Sequence, residues 1–66
     1  MQVVINGKKE TLEGNVTLND VIQFKNLNPK VIVIEYNGEI TNQSQWDSII
    51  LKEDDVLEIV SFVGGG

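Results

Sequence analysis

No cysteine and no histidine occurs in this chain of 66 residues. Without thiols there are no disulfides to staple the fold. Without either side chain, the usual zinc ligand sets and the Ser-His and Cys-His nucleophilic pairs are excluded. Ser44, Ser48 and Ser61 therefore have no general base to activate them and receive no catalytic role. A phosphate-cradling loop of the G-x-x-x-x-G-K-[ST] type is missing as well. No apolar run approaches the ~20 residues of a membrane span, and no basic-plus-apolar leader opens the chain. A cytoplasmic location is the expectation. Positive charge is scarce: five lysines stand against ten acidic residues, a net charge of −5. That balance argues against nucleic acid and against an anionic membrane surface, and it suits a partner with a basic docking face.

Length sets the remaining bound. A chain this short forms one small domain, and such a domain buries only about 60% of the surface its unfolded form exposes. A deep substrate cavity of ~300 Å³ or more has little room in it. Size therefore favours a binding or carrier module over an enzyme, and a monomer when free.

What is present reads as alternating strands with one helix. Met1 to Asn6 alternates with β-branched residues, and Asn6-Gly7 is the strongest short hairpin signal. Lys8 to Leu12 returns as a second strand, and Glu13-Gly14-Asn15 breaks the pattern as a loop. Thr17 with Asp20 three residues on forms a variant capping box for a helix of roughly ten residues. Leu18, Val21 and Ile22 share its apolar face. Lys25 falls close to that face, so either its stem snorkels or the helix is already ending, as Asn26-Leu27-Asn28-Pro29 suggests. Val31 to Tyr36 is the most apolar run and reads as a strand buried on both faces in mid-sheet. Asn37-Gly38 is a second hairpin signal, leading to a short strand over residues 39–41.

Gln43 to Ser48 reads as a helical turn whose Trp46 covers the core edge, followed by a brief strand or packing loop at 49–51. Glu53-Asp54-Asp55 reads as a solvated turn, and a final strand runs from Val56 to about Phe62. This order predicts an α+β fold of the β-grasp type: a mixed sheet of four to five strands with one main helix across it. The first and last strands lie parallel at its centre, joined by a right-handed crossover.

The final strand hands over directly to Val63-Gly64-Gly65-Gly66. Glycine has no Cβ, so such a tail can enter a channel too narrow for other residues, and three residues reach at most roughly 10 Å. Gly66 is thereby the candidate reactive group, with Gly64 and Gly65 as the segment entering a partner's active site. Strand alternation puts Leu57, Ile59 and Ser61 toward the helix, and Glu58, Val60 and Phe62 on the open side. Val60, Phe62 and Val63 are candidate apolar docking residues, and Glu58 a candidate steering charge.

The opening QVVINGK hairpin, the VIVIEYNGEI segment, Trp46, the DDVLEIV strand and the FVGGG ending together resemble the ubiquitin-like sulfur carrier proteins. The resemblance is closest to the ThiS family of thiazole (thiamin) biosynthesis and spans the whole chain. It implies that Gly66 is adenylated by an E1-like enzyme (ThiF) using ATP and magnesium, so that the carrier itself binds no cofactor. It further implies conversion to a thiocarboxylate with sulfur relayed from a cysteine desulfurase, and donation to thiazole synthase (ThiG). Alternatives are a carrier for molybdopterin or tRNA thiolation, an interaction domain using only its sheet surface, and a modifier joined through isopeptide bonds.

Overall fold

A computed structural model describes residues 1–62. Five strands form one sheet in the order β2-β1-β5-β3-β4. The strands are β1 (Gln2–Ile5), β2 (Lys8–Thr11), β3 (Ile32–Tyr36), β4 (Glu39–Ile40) and β5 (Val56–Ser61), with one α-helix, α1 (Leu18–Phe24). Both Asn-Gly pairs make hairpins, with positive φ at Asn6 and Gly7 and again at Asn37 and Gly38. β1 and β5 are parallel neighbours, and β5, not β3, is the middle strand.

The expected capping box is present. The Thr17 hydroxyl accepts from the Asp20 N–H, and the Asp20 carboxylate accepts from the Thr17 N–H. The helix has seven residues, shorter than the ten its start suggests. It ends because Asn26 adopts φ +55°. There its N–H bonds the Gln23 carbonyl and the Leu27 N–H bonds the Ile22 carbonyl, the two bonds of a Schellman cap. Lys25 is consequently the last capping residue, and its ammonium pairs with Glu10 at 2.9 Å instead of snorkelling.

The core lies between the sheet and α1. Val3 and Ile5 of β1, Ile32 and Ile34 of β3, and Leu57 of β5 meet Leu18, Val21 and Ile22 of the helix. Val16, Leu51 and Trp46 close its end. Trp46 is itself buried, following a 3-10 turn at Gln43–Gln45. Its indole N–H donates to the Thr41 hydroxyl, which donates to the Ile34 carbonyl. Residues 49–51 form a packing loop with a single bridge, Thr17 to Ile50. The reading of β3 as buried on both faces is corrected: Ile32 and Ile34 are buried, but Val33 and Glu35 are only partly covered. The one α-helix among the described residues lies across the first face and leaves that second face uncovered by a helix.

The solvated-turn reading also fails for Asp55, which is buried. Its carboxylate accepts from the Tyr36 hydroxyl at 2.8 Å, the Asn37 side-chain amide at 3.1 Å and the Lys52 N–H at 2.8 Å. Burial alone pushes this carboxyl up. The bonds from Lys52, Asn37 and Tyr36, with the Lys52 charge, outweigh it and hold the group below its usual range. Tyr36 is raised, first by burial and then by its bond to Asp55 and that residue's charge.

A domain of 66 residues has roughly 3–10 kcal/mol of stability in all. Removing the acceptor of three buried bonds is therefore severe, and Asp55→Ala is expected to cost about 3 kcal/mol or more. A depressed native pKa contributes stability above the unfolded value that is lost as pH falls through the native one. Urea unfolding, followed by Trp46 fluorescence, should show wild-type stability dropping below about pH 4 more steeply than that of Asp55→Asn. The raised Tyr36 has the opposite sense. Its contribution is present below about pH 10 and is lost above it, a loss that Tyr36→Phe should not show.

Candidate functional site

β5 carries the chain toward the candidate tail, so its surroundings define the site. Val63, Gly64, Gly65 and Gly66 lie outside the described residues. On the β3 side the strand is paired along its length, from Leu57 opposite Tyr36 to Ser61 opposite Ile32. The Phe62 N–H continues that edge to the Val31 carbonyl at 2.8 Å. On the β1 side, regular pairing stops at Ile5 opposite Leu57. There Asn6 takes over with its side chain, which accepts from the Ile59 N–H at 2.7 Å and donates to the Ile59 carbonyl at 3.2 Å.

The two faces of β5 differ as alternation requires. Leu57 is fully buried toward α1, and Ile59 packs partly against the core. Val60 and Phe62 are each 55% exposed. Val60 stands opposite Val33 and Val56 opposite Val4, while Ile40 reaches the same face opposite Glu35. The result is an exposed apolar surface that runs beside the strand's exit.

Within it, Glu58 lies directly opposite Glu35. Like charges facing each other across strands are destabilising, and the one ion pair among the described residues, Lys25 with Glu10, does not involve either. Glu35 was absent from the residues singled out by sequence. Its alternation onto the open face was readable, but its register against Glu58 was not.

On the helix side, an open groove of about 490 Å³ lies between β2, the end of α1 and β5. Its floor is Ile5, Leu27, Ile32 and Ile59, with Lys8, Lys25 and Ser61 at the rim. It exceeds the volume the chain length suggested because it is a surface cleft, not an enclosed cavity. Among the described residues no cluster of three or more acidic side chains is placed to hold a metal ion. No helix there is long and apolar enough to cross a membrane. Ser61 has no histidine partner to activate it, since the sequence contains none.

Comparison with known proteins bears on what this arrangement is. The ThiS family model matches residues 3–66. The sulfur carrier protein ThiS of Bacillus subtilis (strain 168) is 35% identical over 63 residues, covering 94% of this chain and 96% of that protein. A thiazole synthase from Magnetococcus marinus is 29% identical over all 66 residues, but the chain spans only 20% of its length. The crystal structure of the thiamine biosynthesis protein ThiS from Geobacter metallireducens superposes with a TM-score of 0.84 at 28% identity, covering both chains completely. With its parallel β1–β5 pair, helix α1 across the sheet and a family match running from the first strand through the glycines, this β-grasp chain belongs to the ThiS family.

Proposed function

We propose that this chain is a sulfur carrier of thiazole (thiamin) biosynthesis, and that the Gly66 carboxylate carries the sulfur. The observation that carries the reading is the family match, which extends through the glycines to residue 66. A terminal carboxyl has a pKa of about 3.3–3.7, so at neutral pH it is an anion and a poor electrophile. With no histidine, no cysteine and no phosphate-binding loop, the chain lacks the means to activate it. Activation falls to an E1-like partner of the ThiF type with ATP and magnesium. A carboxylate oxygen attacks the α-phosphorus of ATP, pyrophosphate leaves, and an acyl adenylate forms. The terminal sulfur of a persulfide relayed from a cysteine desulfurase then attacks the acyl carbon and AMP leaves, giving an acyl disulfide. A partner thiol attacks the relay-side sulfur, forming a new disulfide with it and releasing the Gly66 thiocarboxylate.

Thiazole synthase (ThiG) is the acceptor in this reading. Its support is that proteins named thiazole synthase contain a segment similar to this whole chain. The carrier contributes an acyl group and a docking surface, while its partners perform the catalysis in the cytoplasm. The open sheet face suits docking. Val60 and Phe62 offer apolar area near the end of β5, and the pair Glu58 and Glu35, unneutralised among the described residues, offers a place for a partner's basic side chain.

Intact-protein mass spectrometry after incubation with the E1-like partner, ATP-magnesium and a sulfur source tests the chemistry. The expected result is a mass gain equal to one oxygen replaced by one sulfur, localised to Gly66. No gain, with the partner shown active on a known carrier, would favour an interaction domain that uses only its sheet. Docking has a separate signature in Glu58→Gln. Relieving the repulsion with Glu35 should stabilise the fold by about 0.2–1 kcal/mol while raising the KM for the activating partner. A gain in stability with unchanged KM would remove this pair from the docking surface.

A further inference from the structure

We infer that Asn6 is a positioning residue: its side-chain amide latches the end of β5 and thereby fixes where the tail leaves the sheet. The inference rests on the carrier reading, since it names what aims the reacting terminus. Asn6 occupies a turn position at φ +51°, where asparagine is one of the few residues accommodated. That requirement accounts for the backbone but not for the side chain. The Asn6 N–H donates to the Leu57 carbonyl at 2.9 Å. Its side chain then bonds both the N–H and the carbonyl of Ile59. A carboxamide has the donor and acceptor of a peptide group, so Asn6 supplies the rung that β1 would have provided had it not turned away.

Geometry makes this rung more than a local bond. Past Leu57, β5 has β3 on one edge, while on the other its regular pairing with β1 has ended. On the helix side of this strand end lies the open groove rather than close packing. The opposite face is exposed at Val60 and Phe62. Among the described residues, Asn6 is therefore what holds the second edge past Leu57. With the amide removed, residues 59–62 remain tied to β3 alone and can swing about that edge. A displacement of ~1 Å at a reacting group can cost on the order of 100-fold in rate.

Asn37 supplies an internal control. It holds the corresponding place in the second hairpin, at φ +50°. Its N–H donates to the Val56 carbonyl and its side-chain oxygen accepts from the Val56 N–H, both at 2.8 Å. Asn37 thus secures the beginning of β5, far along the strand from the exit, and it also bonds Asp55.

The test compares Asn6→Gly and Asn37→Gly, since glycine keeps positive φ available and removes only the side chain. Both full-length variants are assayed well below their melting temperatures for adenylate formation with the E1-like partner, and for amide hydrogen exchange. The expected result is a fall in kcat of about tenfold or more for Asn6→Gly, with KM within about twofold and faster exchange at Ile59. Asn37→Gly should lose stability yet keep its kcat. Asn6→Asp, which can still accept from the Ile59 N–H but cannot donate to its carbonyl, should fall between wild type and Asn6→Gly. Equal kcat in Asn6→Gly and Asn37→Gly, or unchanged exchange at Ile59, overturns the latch. An inactive wild type would instead fail the carrier reading, and Ile59 exchange would then decide the latch alone.

Discussion

The structure depends on satisfying the backbone of β5, which is both the last strand in sequence and the middle strand of the sheet. A middle strand needs hydrogen-bond partners on both edges. β3 solves one edge because it runs antiparallel to β5 as far as Ser61. β1 solves only the beginning of the other, because its hairpin turns at Asn6-Gly7. The two Asn-Gly turns complete the arrangement with their side chains, Asn37 at Val56 and Asn6 at Ile59. Residues chosen for turn geometry thus also act as fragments of strand.

Carboxylates close together in the chain meet opposite fates according to which side of β5 they reach. Asp55 is buried and receives bonds from Tyr36, Asn37 and Lys52, which join the second hairpin to the turn before β5. Glu58, three residues on, faces outward across from Glu35 with no ion-pair partner among the described residues. The first contributes to folding and the second opposes it slightly. Exposed valines and Phe62 on the same open face make an uncompensated charge pair there intelligible as a surface that another molecule completes. On the other face the core is sealed by α1 and Trp46, so the core and the proposed docking surface lie on opposite sides of one sheet.

Much of this architecture was legible because its signals are local. Asn-Gly pairs demand positive φ, Thr17 and Asp20 cap a helix three residues apart, and alternation in β5 assigns Leu57 and Val60 to opposite faces. The helix length was not legible, because Asn26 is compatible with either continuing or capping until Leu27 finds the core. Nor was the place of β3. An apolar run reads the same whether its second face is covered by another layer or left for a partner.

The sequence by itself determined the element types, the two hairpins, the apolar face of α1, the lack of cysteine and histidine, and the family resemblance of its ending. These follow from properties of single residues and their near neighbours. Only the tertiary structure decided that Asp55 is buried, that Glu35 confronts Glu58, and that Asn6 reaches Ile59 across 53 positions of chain. Each of those depends on the register between strands distant in sequence. Register is set by the collective packing of the core against α1, and no local pattern encodes it.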